Sequence, residues 1–177
     1  MEEIVDMVGE PIPAYFVHFS EKGITPEILR IEGFEILVLR RAEGPRLGET
    51  LKRDPANPKL PEIYKKLGFS VGYISKYGIS HGHLHTYNVV LENNSPIIID
   101  WGQASYLGIS GIDLWLSGNA NFLLKSTKED LTIAKRPDLY APLESIFIKE
   151  FKKEMAIPQS KTPREIQMET FKRFGVI

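Results

Sequence analysis

Cysteine is absent from the 177 residues, which excludes disulfides, thiolate zinc sites and a cysteine nucleophile. A large charge of either sign is absent too. The formal net charge is −1, so the chain as a whole is not an electrostatic binder of nucleic acid. No long apolar run occurs. The opening "MEEIVDMVGEPIPAYF" is acidic and carries no basic n-region, so neither a signal peptide nor a membrane span is read, and a cytoplasmic protein is expected. Internal repeats and low-complexity segments are lacking as well. What is present is 42% apolar residues, enough for a sizeable core in one domain of ordinary length.

Periodicity divides the chain into elements. "EEIVDMV" reads as one or two helical turns, and "PIPAYFVHFSEKG" is ambiguous between strand and helix. Gly23 followed by "ITP" is a helix stop, because glycine accepts the left-handed cap and Pro26 cannot continue a helix. "EILRIEGFEILVLRR" reads as a hairpin turning at Glu32-Gly33, and "RDPANPKLP" as a loop. Leu60, Ile63, Tyr64, Leu67, Val71 and Ile74 keep the 3.6-residue period and predict a helix of about five turns ending near Gly78. "NVVLENNSPIIID" is a second hairpin, with Val89–Leu91 opposite Ile97–Ile99. "GIDLWLSGNANFLL" reads as a buried helix. Ser126 with Glu129, and Thr162 with Glu165, both carry the capping-box pattern, the second with Pro163 at the first helical position. Leu143, Ile146, Phe147, Phe151 and Met155 share one helical face.

Chemistry concentrates in "SHGHLHTYNVVLENNSPIIIDWGQAS", which holds His81, His83 and His85. Asp100 leaves an apolar strand at its end, a rigid place to hold a metal ligand. An asparagine oxygen at Asn88 with that carboxylate suits magnesium, which takes hard oxygen ligands together with phosphate oxygens. Alternate residues of an extended loop face one side, so two of the histidines could instead share a metal.

The run His81-Gly82-His83 to Asn88, followed by Ile99-Asp100-Trp101-Gly102, resembles the catalytic core of protein-kinase-like phosphotransferases. It is most similar to the small atypical ones: the RIO kinases, the kinase of the KEOPS complex and the aminoglycoside phosphotransferases. Their loop reads roughly H-G-D-x-x-x-x-N, then a hairpin, then I-D-[FW]-G. The resemblance extends over roughly residues 23 to 124. It implies an α+β fold with a mainly helical, kinase-like C-lobe carrying a catalytic-loop hairpin over 45–177. Residues 1–44 would form a truncated N-lobe of short helices and one hairpin, the whole making one compact domain. It implies ATP and Mg2+ as cofactors, with Asn88 and Asp100 holding the metal. His81, Gly102 and Asp113 would be structural supports, Asp113 as the buried aspartate that braces the loop. His85 would be a solvent-facing loop residue, and Trp101 a core residue.

Two departures from that pattern matter. His83 stands where the family has the aspartate that accepts the substrate hydroxyl's proton. No glycine-rich loop and no V-A-I-K-like lysine precede residue 23, and Lys22 is the only lysine there. Losing a general base costs about 10²–10⁴ in rate. The primary expectation is therefore a pseudokinase-like binding or scaffold module with weak or no nucleotide binding. The first alternative is an active minimal serine/threonine kinase or small-molecule phosphotransferase with His83 as base, since an ordinary imidazole pKa near about 6.5 suits that work. The second is a metal-dependent hydrolase using His81, His83 and His85. Another protein is the expected partner. Residues 149–177 carry seven basic residues against four acidic ones, which leaves room only for weak nucleic-acid contact there.

Overall fold

The computed structural model describes residues 3–7, 12–32, 36–107, 118–159 and 161–175. It begins with β1 (Glu3–Met7), α1 (Ile12–Glu21), β2 (Ile28–Glu32) and β3 (Ile36–Arg40). The three strands form one antiparallel sheet in the order β1-β3-β2, with Val5 opposite Val38 and Ile31 opposite Leu37. This corrects the reading of "EEIVDMV" as helical turns and of the first 44 residues as a single hairpin plus helices. A five-residue strand has little local signal, and β1 exists because β3 gives its backbone a partner. The ambiguous segment is α1. It ends in a Schellman motif, with Ile24 N donating to Phe19 O at 2.9 Å and Gly23 N to Ser20 O at 2.9 Å, and Gly23 at φ +66°.

Next come α2 (Leu47–Arg53), α3 (Leu60–Lys76) and the short β4 (Ile79–Ser80). A 3₁₀ turn, Thr86–Asn88, leads into the hairpin of β5 (Val89–Glu92) and β6 (Ser95–Ile98). The predicted pairing is present one residue short, since β6 stops at Ile98 and Val89 faces it. Asn93 and Asn94 turn the hairpin with φ of +52° and +63°. β7 (Ser105–Tyr106) pairs with β4. The back of the molecule is helical: α4 (Asn119–Ile133), α5 (Tyr140–Met155) and α6 (Pro163–Arg173). The Thr162–Glu165 capping box is present in full. Ser126 caps nothing, because it lies inside α4, where its Oγ donates to Leu123 O and accepts from Thr86 N. The helix expected over residues 111–124 is present from Asn119 onward as the start of α4, and residues 111–117 lie outside the described residues.

α3 and α5 run against each other as the centre of the core. Leu143, Phe147 and Phe151 are buried on that face, as the period predicts, with Ile146 and Met155 at its margin. Lys76, between the rings of Tyr73 and Tyr77, closes the seam on Glu154. α1 lies over the hairpin's exit. Phe16 meets Trp101 edge-on at 4.7 Å, and such a contact adds about 0.5–1.5 kcal/mol beyond burial. α6 covers α1 from outside, burying Ile166 and Thr170, and Arg173 Nη1 donates to Glu21 Oε1 at 2.7 Å.

The sheet is tied to the hairpin by one bidentate pair. Arg40 donates to both oxygens of Glu92, at 2.9 and 2.8 Å, and Glu43 N donates to Glu92 Oε1 at 3.1 Å. Leu91 N to Pro45 O and Ile98 N to Ile24 O extend the same seam. No helix among the described residues is long and apolar enough to cross a membrane.

Candidate functional site

α3 ends, β4 follows for two residues, and the chain enters the loop at His81, which is fully buried. The His81 backbone N–H donates to Asn119 Oδ1 at 2.8 Å. Asn119 Nδ2 donates to Ile79 O at 3.0 Å and to Ser75 Oγ at 3.3 Å, so one amide fixes both sides of the loop's entry. The His81 ring lies 4.6 Å from Trp101 and donates through Nε2 to Ile99 O at 2.9 Å. Its Nδ1 accepts from His83 N at 3.4 Å. Burial pushes its pKa down to about 4, against the smaller opposing effects of Ile99 O and Asp100. His81 is thus a neutral strut with both ring nitrogens engaged. Gly82 follows at φ +81°, and a Cβ there would come within 2.4 Å of Gln103 O, so no larger residue fits.

His83 is exposed at the loop's crest, and its carbonyl accepts from Asn88 Nδ2 at 3.0 Å. The second amide hydrogen of Asn88 reaches Asp100 Oδ2 at 3.2 Å. Asn88 is buried, whereas Asp100 is exposed and sits at φ +63°, an uncommon conformation for a non-glycine residue. Trp101 is buried with Nε1 on Ile98 O at 3.0 Å, and exposed Gly102 lies in the turn closed by Ala104 N on Trp101 O. The loop thus brings His83, Asn88 and Asp100 together through hydrogen bonds. Asp113 lies outside the described residues.

His85 departs from expectation. It is half-buried, not solvent-facing, because its Nδ1 caps the 3₁₀ turn by accepting from Tyr87 N at 3.1 Å. Burial first, then the charge of His83, hold its pKa below the ordinary imidazole value. Nor do the three histidines make a metal centre. Among the described residues no group of three or more His, Cys, Asp or Glu side chains is placed to hold a metal ion. His81 is bonded at both nitrogens and His85 at one, which leaves too few lone pairs facing one point.

Sequence reasoning missed the second support of the loop. Thr86 Oγ1 donates to Asp130 Oδ2 at 2.6 Å, and Lys52 Nζ bridges Asp130 at 3.0 Å and Tyr87 OH at 2.7 Å. The hydrogen bond to Tyr87, then Asp130, raises the Lys52 pKa. Asn119 was missed too, since nothing in its neighbours signals a side chain that reaches back 38 residues.

This arrangement has known counterparts. The family model described as RIO domain matches residues 35–108, the stretch from β3 to just past β7. The fold is that of a small, atypical protein kinase. Within that fold, the KEOPS complex subunit Bud32 of Pyrococcus abyssi is 33% identical over 84 residues, 46% of this chain and 38% of that protein. A probable bifunctional tRNA threonylcarbamoyladenosine biosynthesis protein of Methanosphaera stadtmanae is 27% identical over 112 residues, 60% of this chain and 20% of that one. The chain therefore spans well under half the length of either curated relative. A solved structure described as a divergent kinase lacking the glycine-rich loop, which regulates membrane ultrastructure of the Toxoplasma parasitophorous vacuole, superposes with TM-score 0.47 at 12% identity. It covers 95% of this chain and 71% of that one, a likeness too loose to carry argument.

Proposed function

We propose that this chain is a kinase-fold binding module that serves a protein partner and transfers phosphate slowly or not at all. The side chain at position 83 carries the reading. It is an exposed imidazole where phosphotransferases of this fold place a carboxylate. Among the described residues, no lysine or arginine is ion-paired with Asp100, and the basic group nearest in the bonding is Arg46, which donates to Tyr87 O beside Asn88. The chemistry of the donors fits magnesium. With both amide hydrogens of Asn88 in use, its Oδ1 is left as an acceptor, and Asp100 adds an exposed carboxylate. Those two residues would hold the ion, which when bound with nucleotide supplies positive charge against the phosphates.

The remaining work falls to the chain's own groups. His81 and Asn119 fix the loop's entry, and Asn88 fixes its crest to Asp100. A neutral His83 could take a proton from a hydroxyl only from a point displaced relative to a shorter carboxylate, and an error of about 1 Å costs about 10² in rate. A protein partner is supported by the Pyrococcus relative, named as a complex subunit, and the Methanosphaera relative suggests an assembly acting on tRNA.

The second reading is an active magnesium-dependent phosphotransferase with His83 as base. The intact bonding of Asn88 to His83 O and Asp100 favours it. One experiment separates the two. ATP is titrated with and without magnesium by calorimetry and thermal shift, and turnover is compared between wild type and His83→Asp. Weak magnesium-dependent binding, background turnover in wild type and a rise in His83→Asp support the binding module. Turnover in wild type that His83→Asp abolishes supports the enzyme instead.

A further inference from the structure

The loop between α2 and α3 and the start of α5 enclose an apolar cleft of about 210 Å³, and none of its lining residues belongs to the candidate site. Pro55, Pro58 and Pro61 line it from the loop and the first turn of α3, and Leu139, Pro142 and Ile146 from α5 and its approach. The four prolines stiffen these walls and bring no N–H to them. Among the described residues, the carbonyls of Pro55 and Ala56 accept no hydrogen bond. The lining is thus apolar, and richer in acceptors than in donors.

The charge at the cleft follows from the helices. A Cβ on Gly68 would meet Phe147 O, one on Gly72 would meet Phe151 O, and Lys76 reaches Glu154. α3 and α5 therefore run parallel, with their N-termini side by side at the cleft. Each N-terminus carries partial positive charge. Neither has a side-chain cap, and the first turn of α5 holds no acidic residue. Glu62 is answered by Lys65 and Asp138 by Arg136, while Asp54 and Lys59 offset each other in the loop.

We infer that the cleft receives one aromatic side chain, best a tryptophan, from an acidic segment of a protein partner. An apolar cavity of about 150 Å³ takes a benzene, so this one has room for an indole. The indole N–H would meet a lining that offers carbonyls, and buried tryptophans in pockets are common anchors of interfaces. Carboxylates flanking the ring would meet the two helix starts. A second copy of this chain fits poorly. Ten residues line the cleft, against about 20–30 a side in a stable interface. The inference rests on the partner reading above and names that partner's contact chemistry.

The test titrates the full chain with the capped tripeptides Ac-Asp-Trp-Asp-NH2, Ac-Lys-Trp-Lys-NH2 and Ac-Asp-Ala-Asp-NH2, followed by ¹⁵N NMR of backbone amides. The Asp-flanked tryptophan peptide should give saturable shifts at the Ala56, Asn57 and Ile146 amides. The Lys-flanked peptide should bind about threefold or more weaker, and the alanine peptide should give no shifts. Ala56→Trp fills the cleft and Ile146→Asp puts a charge in it, and each should weaken binding about tenfold or more. Ala56 is exposed in the loop, so its variant leaves the core intact, and thermal melts check both proteins. Ile157→Asp, an exposed position beyond the far end of α5, should bind as wild type does. No saturable shifts up to about 10 mM, equal binding of the two tryptophan peptides, or binding untouched by Ala56→Trp overturns the inference. So does a dimer in sedimentation that Ala56→Trp dissolves, since the cleft would then hold a second copy. ATP turnover that His83→Asp abolishes would instead sink the binding-module reading and leave peptide binding in place.

Discussion

Asn88 Nδ2 donates to Asp100 Oδ2 at 3.2 Å, although the two residues are twelve positions apart and one is buried while the other is exposed. The hairpin β5–β6 sets that distance, since it returns the chain to its own starting point. Replacing the amide by a second carboxylate, Asn88→Asp, places like charges in contact. That variant should melt below wild type at pH 7, and magnesium at millimolar concentration should raise its melting temperature by more than it raises wild type's. Equal response to magnesium in the two proteins would remove Asn88 and Asp100 as a shared cation site.

The pair Arg40–Glu92 gives a pH-dependent seam. The hydrogen bonds from Arg40, then from Glu43 N, hold the Glu92 pKa below its ordinary value. A depressed carboxylate pKa contributes stability that is full above the unfolded value, near about 4.5, and is lost as pH falls through the folded one. Glu92→Gln should therefore be less stable at pH 7 by about 1 kcal/mol, with the difference closing toward pH 3. Melting temperatures across pH 3–7 read this directly.

Much of this architecture was legible beforehand, and the failures have a common cause. α3 and the hairpin β5–β6 could be read because their apolar spacing is local and matches the helical and strand periods. The cap at Thr162 could be read because donor and acceptor are three residues apart. Ser126 shows the limit of that rule: the same Ser-x-x-Glu spacing occurs inside α4, where the hydroxyl serves Thr86 instead. β1, Asn119 and the Thr86–Asp130–Lys52 network depend on partners distant in sequence, and no window of neighbours contains them. At the site, the resemblance of the spacing to the kinase-like motif placed Asn88 beside Asp100, but it gave no hint that His85 turns inward to cap.

His81 should impose its own acid limit. Its folded pKa is near about 4, whereas an unfolded imidazole titrates near 6.5. Between those values the unfolded chain takes a proton that the folded one refuses. The stability this residue protects is full above about pH 6.5 and declines as pH falls toward 4. His81→Gln should flatten that slope, while costing about 1–3 kcal/mol at pH 7 through the lost bond to Ile99 O. Urea denaturation at half-unit pH steps checks both parts.

Gly68 sets the approach of α3 to α5. A Cβ there would fall 2.4 Å from Phe147 O, a backbone atom that cannot rotate away. Gly68→Ala should lower the urea midpoint by the equivalent of about 1–3 kcal/mol without altering the slope, in spite of alanine's better helix propensity.

The clasp of Arg173 on Glu21 joins residues 152 positions apart. At roughly 5–20 residues per second, a ribosome takes about 8–30 s to make the second after the first. Throughout that interval α1 has emerged, but the helix that shelters its outer side does not yet exist. The outer face of α1 must therefore wait uncovered until α6 arrives, within reach of chaperones and proteases. A nascent chain halted before α6 would present α1 as the exposed seam of an otherwise finished body.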